Sequence, residues 1–348
     1  MSTLMKQMDF LLEGNELLLD RGVLICEYCD TEYSADEVDQ TDEGFWCDAC
    51  GSDGVEYFTY FEPNKRPQFL LFLESKTPVN DPYDRQAAFK LNKRLSPFRY
   101  PGGKSKIAQH LTAAMRPQQL DTLVSVYIGG ASVELAMLQA GLIKQLIMND
   151  IDFGIFSLFY LIKEHPDDLI QRIRTQLPSH EDFFRYRDLI KADYAGADLL
   201  DAAWAALIVN RLAYSGIYSA NPLGGRCGSQ KQLLARYNPD DLCQRIVQIH
   251  AMSHRMTLSH QNALPFIEEQ AWHPNSTLFL DPPYYEKGSA LYRHFYTEQD
   301  HRDVSGLLQT FYEQMPGADI VITYDDHPFI RELYYHATEI ELNRSFSI

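Results

Sequence analysis

The sequence predicts an α/β fold: a strand–helix sheet carrying a helical insert, preceded by a small cysteine-bearing module. Three observations predict it. From Ser96 onward, short apolar strands alternate with helical stretches. Between Pro166 and Arg255 that alternation stops, and almost only helix and loop signals remain. Near the start, two Cys-x-x-Cys pairs stand in an acidic segment. Alternation interrupted by a helical stretch is the pattern of a mostly parallel sheet with an inserted domain. The expected organisation is a module over 1–75, a linker over 76–95, a sheet domain in two parts (96–165 and 256–348) and a helical insert over 166–255.

The cysteine module comes first. Cys26 and Cys29 form one pair, and Cys47 and Cys50 follow after 17 residues. That separation lets four thiolates surround one Zn²⁺ tetrahedrally, as in a zinc ribbon. Such a closed site folds its segment and leaves no open position for catalysis. Disulfide or redox pairs are the competing reading, weakened because Met1–Leu19 lacks the basic start of a secretory signal. Without a signal or an 18-residue apolar run, the expected location is the cytoplasm. Asp30 to Glu43 is acid-rich, which favours a protein contact or a solvated face over DNA for this module.

Strands are expected at Glu56–Phe61 and Gln68–Glu74. Lys76 to Leu95 contains Pro78 and Pro82 and reads as linker with a short helix. Thr122–Ile128 and Leu142–Met148 read as strands, each followed by a helix, at Ser132–Ala140 and Phe153–Lys163. After the insert, strands return at Met256–Ser259, Thr277–Leu280 and Ile320–Thr323. Helices are expected at Glu298–Tyr312 and Pro328–Tyr335.

Charge is unevenly spread. The 348 residues carry a net charge of −17 and are 45% hydrophobic, enough for a large core. Residues 1–95 hold 9 Lys+Arg and 19 Asp+Glu, whereas 171–260 holds 11 and 8. Ala202–Pro239 contains Arg211, Arg226, Lys231 and Arg236 and no acid. Either this is chance in a mixed surface, or it is a local face for a polyanion on an acidic protein.

Four segments carry chemistry. Pro97–Lys106 (PFRYPGGKSK) offers a glycine pair that permits close backbone approach, then Lys104 beside any bound anion. An ordinary turn before a helix fits that segment as well. Val126–Val133 (VYIGGASV) is a strand-to-helix turn of the kind that binds nucleotide-like ligands, although a tight turn would look alike. Asp150 follows at the end of the next strand, where a carboxylate can accept from ribose hydroxyls, with Ile151 to cover an adenine face. A helix cap is the alternative. The most specific segment is Thr277–Tyr285 (TLFLDPPYY). Its prolines stiffen the loop and leave its carbonyls free. An exocyclic amine can then sit between the Asp281 carboxylate and the Pro282 carbonyl, Tyr284 stacking on the ring, aligned on an electrophilic methyl group.

In this order, the segments resemble the DNA adenine-N6 methyltransferases of the Dam type, over about residues 96–348. The resemblance implies a Rossmann-like sheet that uses S-adenosylmethionine to methylate N6 of an adenine flipped from double-stranded DNA, as in restriction-modification. It implies cofactor contacts by Tyr100, Lys104, Asp150 and Asp281, a glycine turn at Gly129 and Gly130, and a catalytic loop of Asp281, Pro282, Pro283 and Tyr284. The insert's Asn210–Gly216 and Asn221–Gly225 are similar to the family's DNA-contacting segment. Arg211, Tyr214, Arg226 and Lys231 are the candidate duplex contacts. Three features depart from the family pattern. Ser125 and Val126 replace an acid and a proline, Ala131 replaces a glycine, and the sequence ends within a strand-like LNRSFSI, before the family's closing strand. Methylation of cytosine N4, or a catalytically impaired DNA-binding or regulatory relative, remain open on the sequence alone.

Overall fold

The computed structural model describes residues 23–26, 32–34, 39–41, 44–46, 58–61, 68–75, 89–92, 94–99, 104–115, 120–273, 275–286, 288, 293–314 and 317–343. The chain divides into two compact units, Met1–Pro67 and Gln68–Ile348. In the first unit, β1 (Val23–Cys26), β2 (Glu32–Ser34) and β5 (Phe58–Phe61) form an antiparallel sheet in the order β2-β1-β5. Between them in sequence, β3 (Asp39–Thr41) and β4 (Gly44–Trp46) pair antiparallel. Cys26 closes β1; Cys29, Cys47 and Cys50 lie outside the described residues.

The second unit is built on seven strands. They are β6 (Phe69–Ser75), β7 (Thr122–Ser125), β8 (Gln145–Asn149), β9 (Met256–Ser259), β10 (Ser276–Leu280), β11 (Asp319–Asp325) and β12 (Thr338–Asn343). Their order is β12-β6-β11-β10-β7-β8-β9, and every pairing is parallel. Parallel strands are covered on both faces, so their sequences are apolar throughout rather than alternating. Alternate residues of one strand therefore serve two cores. Phe69, Leu71 and Leu73 of β6 enter one, while Leu70 and Phe72 enter the other.

One core is covered by α8 (Ala263–Gln270), α9 (Glu298–Gln314) and α10 (Pro328–Leu333). On the opposite face lie α1 (Ala108–Ala114), α2 (Ser132–Gln139), α3 (Phe153–Glu164), α4 (Pro166–Thr175), α5 (His180–Lys191), α6 (Leu199–Leu212) and α7 (Pro239–His250). Caps fix several starts. Asp152 accepts from Gly154 N and Ile155 N to open α3, and Ser179 with Asp182 forms a capping box for α5. The α6 helix, LLDAAWAALIVNRL, is buried on nearly all sides and packs on α3. A helix that is apolar all round belongs in a core. Helices α4 to α7 therefore form as the sequence predicts for 166–255, but they share one core with the sheet.

A second expectation is corrected at the other end. The segment expected to finish the cysteine module, Phe69–Ser75, lies in the large sheet between β11 and β12. Its run FLLFLES is apolar on both faces, which an interior parallel strand requires. The boundary between units falls after Pro67. Among the described residues, no helix is long and apolar enough to cross a membrane.

Candidate active site

The crevice follows from the strand order. β8 and β9 lie to one side of β7, and β10 and β11 to the other, so the chain reverses direction across the sheet between β7 and β10. Loops leaving the carboxyl ends of those two strands diverge there and leave room for a ligand. The glycine turn follows β7, and the Asp281–Tyr285 loop follows β10.

In the catalytic half, Asp281 Oδ1 accepts a hydrogen bond from Thr323 Oγ1 at 2.7 Å and another from the Lys104 ammonium. Lys104 is 3% exposed, and its Nζ also lies 3.5 Å from Glu74 Oε1 on β6. The same ammonium stands 4.8 Å from the centre of the Tyr284 ring. Tyr284 is only 4% exposed, with Tyr324 tilted against it at 6.3 Å. A base therefore reaches this ring only when its neighbours move. Asp325, at the end of β11, accepts from Tyr285 N at 3.1 Å and from Glu286 N at 3.0 Å, clamping the chain just beyond Tyr284. Burial pushes the Asp325 carboxyl up, while these two amides pull it down.

The cofactor half is wired differently. Gly129 N donates to Asp150 Oδ2 at 2.9 Å, and Asp152 N donates to Oδ1 at 2.9 Å. Burial, reinforced by the charge of Asp152, pushes Asp150 up to about 7. Ile151 is 41% exposed beside it. Asp152 in turn accepts from Tyr194 Oη at 2.8 Å and pairs with Arg293 at 3.3 Å. The departures from the family pattern fall here. Ser125 Oγ donates to the buried Glu134 at 2.9 Å, so an acid returns to this spot from α2. Burial pushes Glu134 up to about 7. Ala131 adopts a left-handed backbone with φ 49°, which glycine takes without strain.

The candidate DNA residues divide. Tyr214, Arg226 and Lys231 are exposed. Arg211 is not, and its assignment to duplex contact is corrected: it is 5% exposed and donates to the Pro97 carbonyl. Burial lowers it to about 10. Asn210 and Arg245 act alongside it. Asn210 receives Arg99 N at 2.7 Å and donates to Arg99 O and Gly216 O, each at 3.2 Å; Arg245 donates to Ser96 O at 2.7 Å. A side chain at Gly216 would meet Arg99 O at 2.0 Å. The loop leading to Lys104 is thus held by the insert. Arg99 itself has a buried Nη1 with no hydrogen-bond partner among the described residues, and burial and the nearby charge of Arg236 lower its pKa. Tyr100 lies outside the described residues.

Sequence reasoning missed Glu74, Thr323, Asp325, Arg293 and Arg99. Arg99 alone carried a signal, its place within PFRYPGGK.

The comparison with known families decides the identity. Residues 100–348 match the model of the family described as D12 class N6 adenine-specific DNA methyltransferase. The chain belongs to this family. It is also 19% identical over 252 residues to the Type II methyltransferase M.MjaIII of Methanocaldococcus jannaschii, covering 66% of this chain and 84% of that protein. For a D12 class methyltransferase the reaction is N6 methylation of adenine in DNA, with S-adenosylmethionine as donor. The residues present fit that cofactor: a carboxylate at the carboxyl end of β8, an exposed apolar neighbour and a glycine turn share one crevice.

Proposed function

We propose that this methyltransferase acts on an adenine flipped out of duplex DNA, with Asp281 and the Pro282 carbonyl accepting from the N6 amine. The observation that carries the reading is the position of Asp281 just beyond β10, its Oδ1 bonded by Thr323, beside the strand whose following turn bonds Asp150. Adenine N6 is a weak nucleophile because its lone pair is conjugated with the ring. Two acceptors on its N–H groups localise that pair and aim it. When bound, S-adenosylmethionine supplies the electrophilic methyl group. Asp150 and Ile151 would hold its ribose and adenine, with the backbone of Gly129 and Gly130 close to it. Unstacking the target base costs a few kcal/mol, offset by contacts in the pocket. The Asp281→Ala variant is expected to lose about 10²–10³-fold in transfer. Sequencing methylated adenine in DNA from cells expressing each form checks this; full methylation by the variant would sink the assignment.

The exposed Tyr214, Arg226 and Lys231 serve as duplex contacts in this reading, with Arg99 and Arg236 adding positive charge nearby. Truncating Arg226 and Lys231 is expected to lower the slope of log affinity against log salt by about one for each phosphate they neutralise. An unchanged slope removes them from the interface.

Cys26, Cys29, Cys47 and Cys50 serve as a structural zinc site, supported by the spacing of the pairs and by strands that end at Cys26 and at Trp46, just before Cys47. Metal analysis of the purified chain is expected to find one zinc per molecule, lost in the Cys29→Ser and Cys47→Ser variants. The acid-rich segment around them is suited to a basic protein partner rather than to DNA.

A further inference from the structure

Three carboxylates stand at the ends of adjacent strands: Glu74 on β6, Asp325 on β11 and Asp281 just beyond β10. Glu74 and Asp325 are partners in the parallel register of β6 and β11. Glu74 lies outside the family match, which begins at residue 100. Its side chain is completely buried, and its Oε1 stands 3.5 Å from Lys104 Nζ. That ammonium also bonds Asp281 and covers the Tyr284 ring at 4.8 Å. These are the two groups the adenine must reach. A cation so placed competes with the base for both. It can leave them only if a counter-charge receives it, because stripping one partner from a buried ion pair is strongly unfavourable.

We propose that Glu74 is a positioning residue that takes up Lys104 when Asp281 and Tyr284 engage the flipped adenine. The proposal rests on the methyl-transfer reading of the Asp281–Tyr284 loop. Glu74 makes and breaks no covalent bond; it shares the charge of Lys104 and thereby frees the Asp281 carboxylate to accept from N6. The family machinery is in this respect completed by a strand that precedes the family segment.

Single-turnover methyl transfer to genomic duplex DNA, with radiolabelled S-adenosylmethionine, tests this. Glu74→Gln is expected to slow transfer about tenfold, the size of one charge-assisted hydrogen bond. S-adenosylmethionine affinity should stay at its wild-type value, whereas the melting temperature falls because Lys104 loses a buried counter-charge, so rates are compared well below it. Glu74→Asp, which keeps the charge, retains most of the rate. In a Lys104→Met background, Glu74→Gln adds no further slowing, since the two act on one interaction. A Glu74→Gln enzyme at the wild-type rate overturns the proposal, as does an equal slowing in the Lys104→Met background. If the glutamine variant does not fold, Glu74→Leu in the Lys104→Met background, where the buried pair becomes apolar, serves in its place: a rate below that of Lys104→Met alone overturns the proposal. Asp281→Ala separates the two failures. If it retains activity, the reading of the loop is wrong; if it is inactive while Glu74→Gln is normal, only the role of Glu74 falls.

Discussion

The two halves of the crevice are held by different kinds of bond. On the cofactor side, the Asp150 carboxylate is gripped by backbone amides of Gly129 and Asp152. On the catalytic side, Asp281 is gripped by the side chains of Thr323 and Lys104, and Lys104 by Glu74. Backbone donors survive a change of side chain. The glycine turn is thereby held through its backbone, whatever side chains stand at Ser125, Val126 and Ala131. The half around Asp281 depends on the side chains themselves, Thr323, Lys104 and Glu74, and its DPPY sequence is intact.

The comparison is tested first where the catalytic side meets the backbone. Asp325 is the single carboxylate that clamps Tyr285 N and Glu286 N. Asp325→Ala should release the loop behind Tyr284 and slow methyl transfer by up to about 10²-fold, the scale of a displacement near 1 Å. Asp325→Asn keeps one acceptor and should fall between. Single-turnover rates measured beside cofactor binding check it, and equal rates in both variants would break the contrast.

A smaller effect sharpens the other half. Asp150 and Glu134 both stand near 7 in the folded chain, above their unfolded values of 3.8 and 4.5. Between about pH 4 and 7 the folded state therefore binds more protons than the unfolded one, so stability falls as pH rises through that window. Asp150→Asn removes its share: it should raise the melting temperature at pH 8 and change little at pH 4. Cofactor affinity in the native chain should tighten as pH rises through 7, when Asp150 becomes a carboxylate able to accept from hydroxyls. Melting curves at the two pH values, with calorimetry of cofactor binding, check both signs.

Much of this molecule was legible in its sequence. Strands such as TLFL and QLIMN are short apolar runs bounded by turn residues, and the Gly129–Gly130 turn, Asp150 and Asp281 stand at the strand ends that the α/β pattern assigns them. The sheet to which FLLFLES belongs was not legible. Its partners β11 and β12 lie about 250 residues away, and local pattern says nothing of such pairing. Arg211 shows a different failure. Its charge suggested a phosphate, and only the fold brings the Pro97 carbonyl to it. Glu74, Thr323 and Asp325 are lone polar residues near strand ends, which in sequence look like any cap.

The hooks that Asn210, Arg211 and Arg245 set into Ser96, Pro97 and Arg99 bear on how this protein can be re-engineered. In the proposed reading the exposed Tyr214, Arg226 and Lys231 face the duplex, and a segment with that role invites exchange between relatives to change the site modified. Here residues 166–255 cannot be grafted alone. A transplant that leaves Ser96–Arg99 behind strands three backbone carbonyls that the insert now bonds. The smallest exchangeable cassette is discontinuous, made of the insert and those four residues together.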